Sequence, residues 1–187
     1  MICDMMGLLS QGHHGTKLES SNCNIGMGRR RDVTLRADIR FSHGDTYRGL
    51  GEVFKGKKVL LFGLPGGKVC DKQSLPAYVS SIQSLKELGV QEVVCIRPES
   101  GAEIQKWSVD NKIDPKSLTV LGDPRGDWVK FIGVDIVGGQ PAPHHRYAAL
   151  FDDGILLRLC VEDHPAEFNK TKPERMVDIY KTYFCRT

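Results

Sequence analysis

Chemistry is best placed in the stretch Lys57-Lys58-Val59-Leu60-Leu61-Phe62-Gly63-Leu64-Pro65-Gly66-Gly67-Lys68-Val69-Cys70. It reads as a short apolar strand, a Pro-Gly-Gly turn, and a cysteine opening a helix. A helix N-terminus offers free backbone N–H groups and the positive end of a dipole. A cysteine there has its thiolate stabilised, and the thiolate is the reactive form. Most free cysteines are small buried hydrophobes. The glycine turn before Cys70, and Lys68 two residues away, mark it instead as the chemical centre.

Other reactive-looking groups carry less. Gly66-Gly67-Lys68 suggests a phosphate loop, but Phe62 stands where the first glycine should be and Val69 replaces the required Ser or Thr. Cys3, Cys23 and His13-His14 lack metal-ligand spacing, as do Cys160 with His164. His144-His145 beside Arg146 reads as a solvated loop pair, and Asp152-Asp153 as turn residues. The six cysteines are far apart and form no Cys-x-x-Cys pair, which excludes a zinc ribbon and a thioredoxin-type dithiol motif. The residues thus imply neither a metal nor a cofactor, and the thiols suit an intracellular setting.

The elements that must position Cys70 follow from periodicity. Residues 1–31 are rich in Ser, Gly, Met and His, end in Arg29-Arg30-Arg31, and read as a poorly ordered leader ahead of one domain over 32–187. Asp32–Phe41 alternates like a half-buried strand, and Leu50–Phe54 makes a helical turn. After the strand Lys58–Phe62 and Cys70, a helix with Val79, Ile82, Leu85 and Leu88 on one face ends at Gly89, with Pro76 early in it. Val90–Ile96 suits a buried parallel strand. Ala102–Asn111 is a helix with Ile104, Trp107 and Val109 inward, and Leu118–Leu121 is a strand. Asp123-Pro124 starts a helix bearing Trp128, Phe131 and Ile132, and Gly138–Pro143 is a loop. Arg146–Phe151 and Ile155–Val161 flank the hairpin turn Asp153-Gly154. Thr171-Lys172-Pro173-Glu174 is a capping box for a last helix facing inward through Met176, Val177, Tyr180 and Phe184. Strands separated by helices, then a hairpin and a helix, describe an α/β domain with a mixed sheet flanked on both faces, as in thioredoxin-like proteins.

Several of these segments together resemble the type II, or type 5, peroxiredoxins. They are Phe54-Lys55-Gly56-Lys57-Lys58, Phe62-Gly63-Leu64-Pro65-Gly66, and Cys70 followed by Leu75-Pro76. Further matches are Cys95 within Val93-Val94-Cys95-Ile96, Trp107, Leu121-Gly122-Asp123, and the run from Arg146-Tyr147 through Asp153-Gly154 to Val161-Glu162. The resemblance spans roughly residues 32–187. It implies a thioredoxin-like fold and a thiol-dependent peroxidase that reduces hydrogen peroxide and alkyl hydroperoxides. It implies Cys70 as the peroxidatic nucleophile, Arg146 as its electrostatic stabiliser, Pro65 as its shield from water, and Cys95 as a candidate resolving thiol. The reductant would be thioredoxin, glutaredoxin or glutathione. A homodimer is compatible with the family, and the compartment would be cytoplasm or mitochondrion.

The chain departs from that pattern in one place. The family's threonine, three residues before the cysteine, is Gly67 here, and Pro65 precedes Cys70 by five positions, two fewer than in the family. Asp71 opposes thiolate formation while Lys68 assists it. A second reading therefore stands beside the first: a catalytically weakened or inactive relative acting as a redox sensor or binding protein.

Composition limits the rest. The 187 residues carry a net charge of +3, too mild to imply nucleic acid, and contain no apolar run near the ~20 residues that cross a membrane. Apolar content of 40% with 26% charged is that of an ordinary globular chain.

Overall fold

Val59, Leu60, Leu61 and Phe62 are apolar in an unbroken run and all are buried, so the strand they form must be covered on both faces. In a computed structural model describing residues 31–137, 140–141, 145–164 and 166–185, that strand is central to the main sheet. The first thirty residues of the expected leader, His13-His14, Cys3, Cys23 and His144 lie outside the described residues.

The strands in chain order are β1 (Arg31–Asp32), β2 (Arg40–His43), β3 (Thr46–Gly49), β4 (Lys58–Gly63), β5 (Glu92–Arg97), β6 (Thr119–Gly122), β7 (Ile136–Val137), β8 (Gln140–Pro141), β9 (Tyr147–Asp152) and β10 (Ile155–Val161). The helices are α1 (Leu50–Phe54), α2 (Leu75–Glu87), α3 (Gly101–Asp110), α4 (Asp127–Ile132) and α5 (Pro173–Phe184). Eight strands make one mixed sheet in the order β1-β10-β9-β4-β5-β6-β2-β3. Strands β4, β5 and β6 are parallel, with α2 and α3 as crossovers, while β9 runs antiparallel to β4. This is a thioredoxin-like architecture.

Each face of the sheet has its own core. On one, Leu60, Phe62, Cys95, Ala148 and Cys160 meet Leu75, Tyr78, Ile82 and Leu85 of α2 and Met176 and Tyr180 of α5. On the other, Val59, Leu61, Val94 and Phe151 meet Leu50, Val53 and Phe54 of α1 and Trp128, Val129 and Ile132 of α4. The ring of Tyr78 stacks on Phe62 with centroids 3.8 Å apart, which fixes α2 over β4.

Several local expectations are corrected. Asp32–Phe41 is not one strand: the Asp32 carboxylate accepts from the Thr34 N–H and hydroxyl, closing a 3-10 turn over Val33–Leu35 before β2 begins. That side-chain bond competes with the sheet ladder. On α2, Tyr78 is buried where Val79 was expected, and Val79 is half exposed. On α3, Val109 is exposed at 76%. Thr171 does not cap α5, whose N-cap is Lys172; the threonine hydroxyl is donated instead to Glu162. Helix α4 begins at Asp127, yet Asp123 still serves its start, its two carboxylate oxygens accepting from the Trp128 and Val129 N–H groups. Gln140 and Pro141 pair with Val137 and Ile136 rather than lying wholly in a loop. His145 is not solvated but 3% exposed, and burial holds its imidazole below the ordinary range.

Candidate active site

β4 delivers the chain to the turn Leu64–Val69, and β9, its antiparallel neighbour, starts one residue after Arg146. Gly63 allows this close pairing, because a Cβ there would come within 2.0 Å of the Tyr147 ring. The result is that Arg146 Nη2 donates to Cys70 Sγ at 3.2 Å, although 76 residues separate them in sequence. Both side chains are buried, Cys70 at 0% and Arg146 at 2% exposed. A guanidinium at this distance, with this little solvent, is placed to donate to the sulfur and to any negative charge that develops there.

The turn before Cys70 depends on its glycines. Gly66 has φ +98° and Gly67 φ +87°, conformations that L side chains rarely adopt. A Cβ on Gly67 would meet nothing within 4 Å, so a side chain there would stand in open space. Pro65 lies in this turn, half-buried, and Lys68 is exposed. Cys70 opens a π-helical turn, Cys70–Ser74, closed by the Leu75 N–H on the Cys70 carbonyl. Pro76 then falls in the first turn of α2, which continues directly from the π-helical turn.

Asp71 faces away from the sulfur's guanidinium and toward a second one. Arg97 Nη1 lies 3.7 Å from Asp71 Oδ1. Arg97 also donates to both carboxylate oxygens of Glu99, at 2.9 and 2.6 Å, and stacks over Trp107 with its guanidinium carbon 4.0 Å from the ring centroid. This pairing offsets the charge that Asp71 would otherwise set against the thiolate. Two buried arginines thus flank the turn, Arg97 from the β5 side and Arg146 from the β9 side.

Cys95 shares the apolar cluster with Cys70 and pairs in register with Phe62. Burial pushes its thiol well up from the ordinary range. Cys70, Cys95, Cys160 and Cys185 are all free thiols, and of these Cys185 is exposed. Among the described residues, no three His, Cys, Asp or Glu side chains are grouped to hold a metal, and no helix is long and apolar enough to cross a membrane.

Three participants were not foreseen from sequence. Arg97 could have been found from period two along β5, which puts it on the face of Cys95 and hence of Cys70. Tyr78 and Glu162 left no signal beyond a buried polar group on an apolar face. Tyr78 Oη donates to the Thr171 carbonyl at 2.6 Å, and Glu162, fully buried, holds the loop that follows β10.

Comparison with known proteins bears on what this geometry is for. The redoxin family matches residues 42–176. A mitochondrial peroxiredoxin-2F of Arabidopsis thaliana is 30% identical over 179 residues, covering 90% of this chain and 86% of its own. A mitochondrial peroxiredoxin-2F of Oryza sativa subsp. japonica is 31% identical over 137 residues, covering 69% of this chain and 67% of its own. The crystal structure of reduced Prx3 from Vibrio vulnificus superposes with a TM-score of 0.71 at 22% identity, over 83% of this chain and 99% of that one, a likeness of fold.

Proposed function

Since the chain belongs to the redoxin family and is a peroxiredoxin of the thioredoxin-like superfamily, we propose that it is a thiol-dependent peroxidase with Cys70 as its nucleophile. The observation that carries this reading is the buried 3.2 Å contact between Arg146 Nη2 and Cys70 Sγ. In the reaction the Cys70 thiolate attacks the terminal oxygen of hydrogen peroxide or an alkyl hydroperoxide. An S–O bond forms, the O–O bond breaks, and the leaving oxygen takes a proton to depart as water or an alcohol, leaving a sulfenic acid. Arg146 holds the sulfur's charge before attack and the negative charge developing along the O–O bond during it. Pro65 shields the sulfur from bulk water at the entrance.

A second thiol then condenses with the sulfenic acid, forming a disulfide and releasing water, and a further thiol reduces that disulfide to return Cys70. The burial of Cys95 supports an external thiol in this role, supplied by thioredoxin, glutaredoxin or glutathione. The mitochondrial naming of both plant relatives supports an intracellular location, cytoplasm or mitochondrion, and the family is compatible with a homodimer.

Gly67, where the family has its threonine, favours a weakened version of this activity, because the turn carries no hydroxyl to orient the peroxide. Loss of one preorganised polar group slows catalysis by ~10²–10³. The deciding experiment is the second-order rate of hydrogen peroxide consumption by purified protein and by Cys70→Ser, with glutathione or thioredoxin as reductant. A rate abolished in Cys70→Ser supports a peroxidase. Equal rates in the two proteins, with Cys70 still the fastest thiol to alkylate, would favour the redox sensor.

A further inference from the structure

Arg146 does not reach Cys70 unaided. Its guanidinium is held from behind, Nη1 donating to the carbonyl of Glu167 while Nη2 faces the sulfur. Glu167 lies between β10 and α5, outside any helix or strand. Near the start of this segment Asp163 pairs with Lys170 and the Glu167 N–H donates to the His164 carbonyl, and its far end is gripped by one buried carboxylate. Glu162 Oε1 accepts from the Asn169 N–H, the Thr171 N–H and the Thr171 hydroxyl, each at 2.8 Å. Glu162 is 0% exposed, and its own N–H donates to the Arg146 carbonyl at 2.9 Å. It therefore grips Arg146's backbone on one side and the far end of the Glu167 loop on the other. The loop is also tied to the helix that carries the thiol, through Tyr78 Oη on the Thr171 carbonyl.

We propose that Glu162 is a positioning residue for the Cys70 thiolate: its carboxylate holds residues 169–171 so that the nearby Glu167 carbonyl aims Arg146 at the sulfur. The inference rests on the reading of Cys70 and Arg146 as the reactive pair. The geometric work of the Glu162 carboxylate is done by Oε1, which a glutamine can reproduce. The other charged groups around Cys70, namely Asp71, Arg97 and Glu99, approach from the β5 side, while Lys68 is exposed on the turn. Among the described residues none of them is hydrogen-bonded or ion-paired to Glu162, whose carboxylate is bonded to Asn169 and Thr171.

The test uses the full-length protein and reads iodoacetamide alkylation of Cys70 from pH 5 to 9 by peptide mass. It needs no peroxide turnover, so a failed peroxidase reading and a failed Glu162 assignment give different results. Glu162→Ala should slow Cys70 alkylation at pH 6.5 by about five- to fiftyfold, the range expected when one charge-assisted contact is lost. It should do so with far-UV circular dichroism unchanged. Glu162→Gln should restore the rate to within about twofold of the parent. In an Arg146→Gln background, Glu162→Ala should change the rate by less than about twofold, because a residue acting through Arg146 has nothing left to position. If Glu162→Ala does not fold, Thr171→Val decides: it deletes one of the three bonds, and about a two- to fivefold loss supports the proposal. An unchanged profile in a folded Glu162→Ala, or in Thr171→Val where that variant decides, overturns it. So does an equal loss in the Arg146→Gln background, which would show that Glu162 acts on Cys70 by another route.

Discussion

Restoring the family's threonine at position 67 is the obvious repair, and the structure says it will fail. Gly67 sits at φ +87°, where an L residue pays about 1–3 kcal/mol of backbone strain and a β-branched one lies at the upper end. Removing a glycine also stiffens the unfolded chain, which returns roughly 0.4–1 kcal/mol. For threonine, at that upper end, the net destabilisation is therefore about 2–2.6 kcal/mol. For a chain of 187 residues, each kcal/mol lowers Tm by about 2–4 °C, giving a fall of about 4–10 °C. Catalysis should not improve, because a side chain at Gly67 meets nothing within 4 Å and its hydroxyl would stand in open space rather than by the sulfur. Thermal unfolding by circular dichroism and the peroxide rate, measured on the same preparation, give both numbers. Gly67→Asn, whose side chain tolerates left-handed backbone, should lose less than half as much stability. A Gly67→Thr protein that keeps its Tm and gains tenfold or more in rate would refute the argument, since the turn would then be free to rebuild around the hydroxyl.

The remaining expectations concern the thiols and their charges. Arg146→Gln should reduce the peroxide rate by about 10²–10³, the usual loss for one preorganised donor, and move Cys70 alkylation to higher pH; a wild-type second-order rate in a folded variant would reduce Arg146 to packing. Cys95, its thiol pushed up by burial, should resist iodoacetamide at pH 8 until the protein unfolds. Non-reducing peptide maps after one equivalent of hydrogen peroxide should show Cys70 capped by glutathione, and a dominant Cys70–Cys95 peptide in glutathione-free samples would contradict the external route. Asp71→Asn leaves Arg97 bonded to Glu99 but removes the negative charge beside Cys70, so alkylation at pH 6.5 should rise by about two- to tenfold; slower alkylation would mean that the Arg97 contact matters more for shaping the turn than for its charge.

The fold was legible where apolar period and turn chemistry agreed. The run Leu60–Phe62, the Asp153-Gly154 hairpin and the Met176–Tyr180 face all read correctly because tertiary burial and local preference point the same way. The alternation from Asp32 to Phe41 misled because a short carboxylate can satisfy nearby backbone and hydroxyl donors more cheaply than a distant strand can. Asp123 was recognisable as a helix-start residue, but the sequence could not show that it would reach forward to the Trp128 and Val129 amides from outside the helix. In the candidate site, Cys70 was legible from its turn, and Arg146 only through resemblance, since nothing local in Arg146-Tyr147 announces a partner 76 residues away. Arg97 and Glu162 stayed hidden because each is defined by what it holds across strands, and a single sequence displays no such partner.

With Cys70 and Arg146 as the proposed reactive pair, the antiparallel pairing of β4 with β9 also sets when the thiol would become reactive during the protein's synthesis. At ribosomal rates of about 5–20 residues per second, the 76 positions between Cys70 and Arg146 correspond to a delay on the order of 4–15 s. Throughout that interval the nascent chain holds Cys70 without the Arg146 guanidinium that meets its sulfur in the folded protein. Reactivity arrives with the non-local pairing of β9, the slow sort of contact in folding. A nascent chain arrested before residue 146 would therefore carry the cysteine without its sensitivity to peroxide. On the proposed reading, the fold withholds the sulfur's sensitivity until the sheet is complete.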